Sequence, residues 1–501
     1  MQKNNLWTIE NKKLDFNQIK SINNTARNNL VIASAGSGKT TTIIGKVKHL
    51  IWEKGIDYNQ ILCLSFTNKS AAELKTRIKQ ELNLESDVLT FHKLGINIIN
   101  TNITMKKKYL TRNEFVIVKI MEDLLNDEKF LEDFLKYFYK TNNFKQALLL
   151  FESEYYTIME YAKEAANYIN LIKQEGLTID ELLKKSRNNK YQQFLKIFIP
   201  IFNNYQEYLL ENNLIDFNDM ITIASNLIKT NIVKLPYKYI IIDEYQDISN
   251  SRFNLVKEIY DKNNADLFCV GDDYQCIFSY AGSKLDFFIN FEKYFGKFNL
   301  NIINKTYRFN QMLSDISSKF ITKNKKQFKK EVKSFKNNNT VSLRIIDEND
   351  LGDELLELPA YSKIFFLGRY KHDLEKLENN HSFNIEKKKT IYFRKRIDLE
   401  ISFLTVHQAK GLEADYVFII NNEKGKMGFP SEKKNSYIER IIFNRSHSIE
   451  EERRLYYVAI TRARVATVLL KNKDKPSIFL WEVERLVRKQ PVTRKKGGDL
   501  K

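Results

Sequence analysis

The chain is 501 residues long, 43% hydrophobic, and carries a formal net charge of +19 at pH 7. This length and composition predict two to four domains with buried cores, and no stretch approaches the roughly eighteen apolar residues of a membrane-spanning helix. The positive charge favours a polyanionic partner, although a compositional bias towards Lys, Asn and Ile could explain part of it. The first residues contain no apolar signal-peptide core, so we expect a cytoplasmic protein.

The cysteines point to the same kind of compartment. Cys63, Cys269 and Cys276 lie in or beside apolar runs and show no CxxC spacing. We therefore expect buried, reduced thiols, which are typical of a reducing environment.

The first element with chemical content is an apolar strand that runs into a loop of small residues, in VIASAGSGKTTT. Small residues let backbone N–H groups curl around a phosphate, and the helix that follows adds the positive end of its dipole. Lys39 supplies a point charge for the outer phosphates, and the Thr40 hydroxyl can ligate Mg²⁺. A Gly-rich turn without a ligand is the alternative, since Ala33 replaces the usual first Gly. The residues predicted to hold the nucleotide here are Ala33, Ser34, Ala35, Gly36, Ser37, Gly38, Lys39, Thr40 and Thr41.

Two further strands end in small polar residues at the start of a helix. The apolar run from Ile61 to Phe66 leads into Thr67-Asn68-Lys69, and the run DVLT leads into Phe91-His92. The carboxyl ends of strands are where open α/β sheets present ligands. Plain strand–helix punctuation, without a ligand, is the alternative for each.

From about residue 95 to residue 215 the pattern is helical, with long segments that carry apolar residues at helical spacing. We interpret this region as a helical insertion. Its aromatic residues are expected to pack between helices rather than stack on bases. These residues are Phe134, Tyr137, Phe138, Tyr205 and Tyr208.

Two adjacent acids follow the short apolar strand 238–242. Asp243 and Glu244 suit phosphoryl chemistry, because one carboxylate can hold the water shell of Mg²⁺ and the other can activate the attacking water. An acidic turn is the alternative. Beyond the next strand, Gln275 can bond a γ-phosphate, and Phe278 and Tyr280 could present ring faces to unpaired bases.

A second α/β unit begins after about residue 300. Tyr307 and Arg308 lie together in NKTYRFN, and Arg369 follows the strand 364–367. The charged run KNKKQFKKEVKSFK between them is interpreted as a solvated face that adds nonspecific attraction to a polyanion. An acidic-to-basic helix then ends at Thr461-Arg462 before a closing strand.

The motifs in this order resemble superfamily 1 helicases of the UvrD/Rep type, and LGRY, GFPS and PSIFL are similar to the DNA helicase IV branch of that family. The motifs that carry the resemblance are LDFNQ, ASAGSGKT, SFTNKSAAELKTRI, TFH, IIDEYQD, VGDDYQCIFSYAGS, TYRF, LTVHQAKGLEADYV and EEERRLYYVAITRA. It implies an α/β fold of two RecA-like P-loop domains, with a helical domain inserted in the first and no large insertion in the second. The domains expected are the first core domain in two parts (1–94 and 216–300), the inserted helical domain (95–215), the second core domain (301–487) and a basic tail (488–501).

The same resemblance implies ATP and Mg²⁺ as cofactors and gives roles to single residues. Lys39 and Thr40 would hold the phosphates and the metal, with Asp243 as the acidic partner of the metal and Glu244 as the base for water. Gln275 would sense the γ-phosphate, and Arg308 and Arg462 would stabilise the transferred phosphoryl group. Gln18 would read adenine, Tyr307 would stack on it, and Glu413 would accept from the ribose.

The expected activity is ATP-dependent unwinding of, or translocation on, DNA, with movement in the 3′-to-5′ direction, in repair, recombination or replication. The partners would be single-stranded DNA and duplex junctions, and stacking on aromatic rings would make binding tolerant of sequence. An ATPase that remodels a complex such as RNA polymerase is the alternative; a helicase–nuclease fusion and a pure binding module are less favoured. The residues expected to contact DNA are Phe66, Thr67, Asn68, His92, Phe278, Tyr280, Arg369, Thr405 and His407.

Overall fold

The computed structural model describes residues 6–102, 107–140, 143–152, 156–186, 191–336, 340–386, 391–433, 436–443 and 448–489. Within these ranges the chain forms two sheets of mainly parallel strands flanked by helices, with a bundle of helices beside them. This confirms the predicted α/β class. No helix in the described ranges is both long and apolar enough to cross a membrane.

The first lobe (residues 6–102 and 217–303) is built on a parallel sheet. The strand Asn28–Ala33, second from one edge of this sheet, is buried at every position because helices cover both faces, as is typical of parallel sheets. The amino-terminal part contains β1 (Thr8–Ile9), β2 (Lys12–Lys13), α1 (Phe16–Asn23), β3 (Asn28–Ala33), α2 (Lys39–Trp52), β4 (Ile61–Ser65), α3 (Asn68–Leu82), β5 (Asp87–Thr90) and α4 (Phe91–Asn102).

The helical insert (residues 108–215) interrupts the first lobe between two short strands that pair in parallel. Its core holds Phe134 and Tyr205, with Tyr137, Phe138 and Tyr208 packed against it, as predicted for these aromatic residues. Its elements are β6 (Lys108–Tyr109), α5 (Asn113–Leu124), α6 (Glu128–Tyr139), α7 (Phe144–Glu152), α8 (Tyr156–Glu175), α9 (Ile179–Lys185), α10 (Gln192–Glu211) and β7 (Leu214–Ile215).

The chain then returns to the first lobe and completes its sheet. The strand order is β10-β3-β9-β8-β4-β5, so the last strand of this lobe pairs with the strand that leads into the phosphate loop. The returning elements are α11 (Phe217–Lys229), β8 (Tyr239–Ile242), α12 (Asn250–Asn263), β9 (Asp266–Gly271), α13 (Asp286–Ile289), α14 (Phe291–Phe295) and β10 (Asn299–Ile303).

The second lobe (residues 305–489) has its own sheet, in the order β13-β19-β18-β14-β17-β16-β15, with β15 and β16 antiparallel at one edge. Its elements are β11 (Lys305–Asn310), α15 (Gln311–Ile321), β12 (Lys333–Lys336), β13 (Leu343–Asp347), α16 (Leu351–Leu356), β14 (Lys363–Gly368), α17 (Glu375–Glu378), β15 (Phe383–Ile385), β16 (Ile391–Phe393), β17 (Arg396–Thr405), β18 (Ala414–Ile419), α18 (Tyr437–Phe443), α19 (Ile449–Ile460), β19 (Ala463–Lys471) and α20 (Ile478–Arg488).

Two of the predicted domain boundaries fall inside elements. The boundary between residues 94 and 95 cuts α4, whose Leu94 and Ile98 lie in the core of the first lobe. Gly95 allows this packing, because a Cβ there would lie 2.6 Å from the Met220 carbonyl oxygen of α11. The boundary between residues 300 and 301 cuts β10, which belongs wholly to the first sheet. Of the predicted basic tail, residues 490–501 lie outside the described residues.

The second lobe also contributes to the helical insert, which the sequence did not indicate. Ile438, Ile441 and Ile442 of α18 are buried in the core of the insert. The ring of Tyr437 stacks against Phe194 of α10, with the centroids 5.9 Å apart. The insert is therefore held by both lobes. The three cysteines are free and buried, as predicted.

Candidate functional site

The phosphate loop (residues 33–40) lies between the carboxyl end of β3 and the amino end of α2. Gly38, the residue before α2, has φ +80°, a backbone conformation that is strained for residues with a side chain. The Ser34 N–H donates to Ser37 Oγ (3.1 Å), so a side chain closes the turn. Loop N–H groups and a helix start at one place are typical of a phosphate site. Thr40 and Thr41 lie in the first turn of α2.

The second lobe contacts this loop directly. Thr306 Oγ1 donates to the Ala35 carbonyl (2.8 Å), and the Tyr307 N–H donates to the Gly36 carbonyl (2.9 Å). A Cβ at Gly36 would lie 2.6 Å from the Cβ of Arg308, so only glycine fits at this close approach. The phosphate loop is therefore part of the interface between the lobes.

The two acids that follow β8 face Lys39. Lys39 Nζ lies 2.9 Å from Glu244 Oε1, and the Glu244 N–H donates to Asp243 Oδ1 (2.9 Å). Burial, with the neighbouring Glu244 carboxylate, raises the pKa of Asp243. Burial acts in the same direction on Glu244, but the cations Lys39 and Lys410 outweigh it and lower the pKa of that carboxyl. Glu244 has φ +52°, and such backbone strain clusters at functional sites.

Two predicted arginines reach this region from the second lobe. Arg308 Nε lies 2.9 Å from Glu413 Oε2, and its Nη1 donates to the Thr461 carbonyl (3.2 Å). Arg462 is 1% exposed and donates through Nη2 to Gln275 Oε1 (3.2 Å). Burial, followed by the charge of Arg308, lowers the pKa of Arg462 to about 9. The fold thus brings together four predicted residues, which are Gln275, Arg308, Glu413 and Arg462.

One cation in this cluster contradicts the sequence interpretation. The run 323–336 was expected to be a solvated face, but the Lys330 side chain within it is fully buried. Its ammonium pairs with Asp272 and with Asp273 (2.8 Å) and donates to the Ala33 carbonyl at the start of the phosphate loop (3.0 Å). The partners come from distant parts of the chain, so the local run of lysines gave no signal of this burial.

Two further cations were also missed. Lys410 Nζ pairs with Asp247 and donates to the Gln275 carbonyl (2.7 Å), and Arg454 Nε donates to the Cys276 carbonyl (2.6 Å). Both lie in motifs that carry the family resemblance, LTVHQAKGLEADYV and EEERRLYYVAITRA, so the sequence contains a signal for each of them. Second-lobe cations therefore surround the turn that holds Gln275.

The residues predicted to bind the nucleobase lie beside the phosphate loop. Gln18 Oε1 accepts from the Asp15 N–H (2.9 Å), and its Nε2 donates to the Ser37 carbonyl (3.3 Å). The Tyr307 hydroxyl donates to Asp15 Oδ2 (3.0 Å), and its ring lies 5.2 Å from that of Phe335. Gln18 and Tyr307 are thus brought together, while their contact with adenine stays a prediction.

An open cleft of about 2030 Å³ is lined by residues of the first lobe, the helical insert and the second lobe. Tyr280 of the first lobe is 54% exposed, and its ring meets that of His407 edge-on at 5.3 Å. Phe278 lies 5.9 Å from the same imidazole. Burial, followed by the charge of Arg369, lowers the pKa of His407 to about 4, so this side chain offers a neutral ring at pH 7. Thr405 also lines the cleft.

Four other predicted DNA contacts form a separate group at the ends of β4 and β5. Phe66 lies 5.1 Å from the ring of Phe91, and His92 meets Phe217 edge-on at 5.4 Å. Thr67 caps α3 by accepting from a backbone N–H, and Asn68 is exposed at the start of that helix. None of Phe66, Thr67, Asn68 and His92 lines the large cleft.

Arg369 lines the cleft, but its guanidinium is already used. It forms a two-pronged pair with Glu452, with Nη2 2.7 Å from Oε1, and the side chains are 14% and 2% exposed. The same carboxylate accepts from the Ser431 N–H (3.0 Å). Arg369 therefore organises the wall of the cleft through a buried ion pair, and its direct contact with DNA stays a prediction.

A family model described as the UvrD/REP helicase N-terminal domain matches residues 14–296, more than half of the chain. The chain belongs to the UvrD/REP helicase family. The matched range covers the helical insert and most of the first lobe, including the phosphate loop, the acid pair and the turn around Gln275. The two lobes correspond to the two RecA-like domains of a UvrD/REP helicase.

Relatives in this family match beyond the first lobe. The chain is 28% identical to DNA helicase IV of Escherichia coli over 97% of its own length and 72% of that relative. It is 30% identical to a probable DNA helicase II homolog of Mycoplasma capricolum over 67% of its own length, and spans only 44% of that protein. It is also 26% identical to an ATP-dependent DNA helicase Rep of Buchnera aphidicola, over 87% of the chain and 67% of the relative.

Proposed function

We propose that this UvrD/REP family member is an ATP-dependent DNA helicase that moves on single-stranded DNA and couples ATP hydrolysis to unwinding. The observation that carries the proposal is the approach of Arg308 and Arg462, from the second lobe, to the phosphate loop and Gln275 of the first. Hydrolytic groups divided between two lobes make turnover depend on lobe closure, which is how hydrolysis becomes motion. The relatives named DNA helicase IV and ATP-dependent DNA helicase Rep support the choice of DNA, and the second name supports the choice of ATP.

In the proposed mechanism, Lys39 would bind the outer phosphates of ATP. Lys39 now pairs with Glu244 at 2.9 Å, so a phosphate that takes the ammonium would free the carboxylate. Glu244 would then orient and deprotonate the attacking water. Gln275, Arg308 and Arg462 would contact the γ-phosphoryl oxygens as charge spreads over them.

A magnesium ion would be held by Thr40 and Asp243. These residues fit Mg²⁺, which binds proteins through one or two oxygen ligands together with substrate phosphates. The raised pKa of the buried Asp243 also fits, because a cation beside it would favour the ionised form. When bound between these two residues, Mg²⁺ would offset the negative charge of the phosphates.

Single-stranded DNA would occupy the large cleft. The rings of Tyr280 and His407, which line the cleft, would offer stacking surfaces, and the ring of Phe278 lies beside that of His407. Stacking tolerates any base because every base has a π-face. The group formed by Phe66, Thr67, Asn68 and His92 would extend the path across the first lobe. The proposed direction is 3′ to 5′, and the proposed setting is repair, recombination or replication.

The first test measures ATP hydrolysis with and without single-stranded DNA. We expect strong stimulation by DNA in the wild type and its loss in Lys39→Ala and Glu244→Gln. Lys54→Ala, which removes an exposed lysine shortly after α2, is the matched control and should behave as wild type. Stimulation by RNA polymerase without stimulation by DNA would overturn the proposal in favour of a remodelling ATPase.

The second test uses duplexes with 3′ or 5′ single-stranded tails. We expect strand displacement from the 3′-tailed duplex only, since loading on that tail is what 3′-to-5′ movement requires. Displacement from the 5′-tailed duplex alone would reverse the proposed direction. ATP hydrolysis without displacement of either duplex would reduce the proposal to translocation.

A further inference from the structure

The amide of Gln275 has a single orientation in this structure because its two ends meet opposite kinds of partner. Its Nε2 donates to Asp272 Oδ2 (2.6 Å), and its Oε1 accepts from Arg462 Nη2 (3.2 Å). Turning the amide over would set a carbonyl against a carboxylate and an N–H₂ against a guanidinium. Asp272 and Arg462 therefore together determine the orientation of the Gln275 amide.

Asp272 is in turn fixed by its other oxygen. Oδ1 accepts from the Tyr274 N–H (3.1 Å) and from the buried ammonium of Lys330. Burial acts to lower the pKa of Lys330, but Asp272 and Asp273 outweigh it and raise that pKa, so the ammonium keeps its charge. Lys330 also donates to the Ala33 carbonyl (3.0 Å) and lies 4.0 Å from the Tyr274 ring. A continuous chain of contacts thus joins the phosphate loop to Arg462.

We propose that Asp272, held by Lys330, is a positioning residue that sets the Gln275 amide for the γ-phosphate and for Arg462. The inference rests on the proposed function, in which Gln275 senses that phosphate. Asp273 provides the matched comparison, because it pairs with the same ammonium at 2.8 Å and is equally buried, yet its side chain bonds the Phe328 N–H and not Gln275.

The decisive variant is Asp272→Asn, which changes hydrogen-bonding groups and hardly changes shape. One face of the new amide must be N–H₂. If this N–H₂ replaced Oδ1, it would oppose two donors, the Lys330 ammonium and the Tyr274 N–H. The N–H₂ therefore replaces Oδ2 and faces Gln275. The Gln275 amide must then turn over, which places its own N–H₂ against the guanidinium of Arg462. Asp273→Asn also weakens the ion pair with Lys330 but leaves Gln275 as it is.

The experiment compares the binding of 5′-adenylyl imidodiphosphate with that of ADP by calorimetry on the full chain, without DNA. Asp272→Asn should lower the preference for the triphosphate analogue about tenfold or more, with ADP affinity nearly unchanged, and Asp273→Asn should keep the preference. In a Gln275→Ala background, Asp272→Asn should have no further effect, because its action passes through Gln275.

An equal loss of triphosphate preference in the Asp272→Asn and Asp273→Asn variants would overturn the proposal. A further loss when Asp272→Asn is added to Gln275→Ala would also overturn it. Either result would mean that Asp272 has a structural role only. If Asp272→Asn does not fold, Asp272→Glu replaces it: the charge opposite Lys330 remains, the oxygen that Gln275 reaches is displaced, and the same loss is expected. The readout needs neither DNA nor hydrolysis. Failure of DNA stimulation therefore counts against the proposed function, and failure of the nucleotide preference counts against the positioning role.

Discussion

The nucleotide site and the large cleft lie in one molecule but are built in different ways. At the nucleotide site, three cationic side chains have a fixed partner: Lys39 pairs with Glu244, Arg308 with Glu413, and Arg462 donates to Gln275. In the cleft, Tyr280 is 54% exposed and offers a ring face. The difference follows from chemistry, because phosphoryl transfer requires charges at set positions, whereas a motor must accept every base alike.

Replacing Arg462 with Ala is the strongest way to break this comparison. If the nucleotide site depends on fixed charges, the DNA-stimulated kcat should fall by about 10³-fold, which is the lower range for an arginine that stabilises a transferred phosphoryl group. ATP affinity should change little, because Lys39 and the phosphate loop remain. Turnover and nucleotide binding are measured separately on the same protein.

The control for that variant is Arg485→Ala, which removes an exposed arginine of α20 in the same lobe. It should leave both quantities at the wild-type level. A loss of ATP binding in Arg462→Ala with turnover preserved at saturation would contradict the proposed role of Arg462.

Arg369→Gln tests whether an arginine in the cleft wall is structural. The change removes the guanidinium that pairs with the buried Glu452 carboxylate, so the free energy of unfolding should fall by about 3–5 kcal/mol. The slope of log affinity for DNA against log salt should not change, because Arg369 contacts no phosphate in this interpretation. Denaturant titration and fluorescence anisotropy measure the two quantities.

A double variant sharpens this test. Arg369→Gln together with Glu452→Gln removes both charges, so most of the lost stability should return. If Arg369→Gln alone lowers the slope of log affinity against log salt by about one, Arg369 contacts a DNA phosphate directly.

The comparison also explains what could be predicted from the sequence. The phosphate loop and the Asp243-Glu244 pair could be predicted because each depends on residues that are adjacent in the chain. An apolar strand followed by a turn places these groups at the end of the strand. The burial of Lys330 could not be read from a run of lysines, because residues 272 and 273 of the first lobe decide it. For the same reason, nothing local in α18 indicated that it packs into the helical insert.

Tyr280→Ala measures the contribution of one exposed ring. Loss of a stacked base should weaken single-stranded DNA binding by about 1–3 kcal/mol, similarly for homopolymers of different base. Tyr280→Trp should restore it, since any aromatic face serves. Tyr58→Ala, which removes a ring exposed outside the cleft, is the control. A loss confined to one base would show hydrogen-bond recognition instead of stacking.

The smallest effect concerns the two histidines predicted to contact DNA. Burial, followed by the charge of Arg252, lowers the pKa of His92 to about 4, and burial followed by the charge of Arg369 does the same for His407, with Glu452 and Lys410 also facing it. In the unfolded chain both imidazoles would titrate near pH 6.5. As the pH falls below that value, the unfolded state binds protons before the folded state does. The free energy of unfolding therefore decreases between pH 6.5 and pH 4. Above pH 6.5 these two histidines do not make it depend on pH.

For each histidine, the loss at pH 5.5 relative to pH 7.5 should be about 1 kcal/mol, and His92→Gln or His407→Gln should remove that part of the pH dependence. His381→Gln, at an exposed position, is the control. Both imidazoles would also be neutral while DNA is bound at pH 7, so DNA affinity should not rise as the pH falls from 8 to 6. A rise that disappears in His407→Gln would mean that a charged imidazole contacts phosphate, and DNA binding in the cleft would then depend on charge as nucleotide binding does.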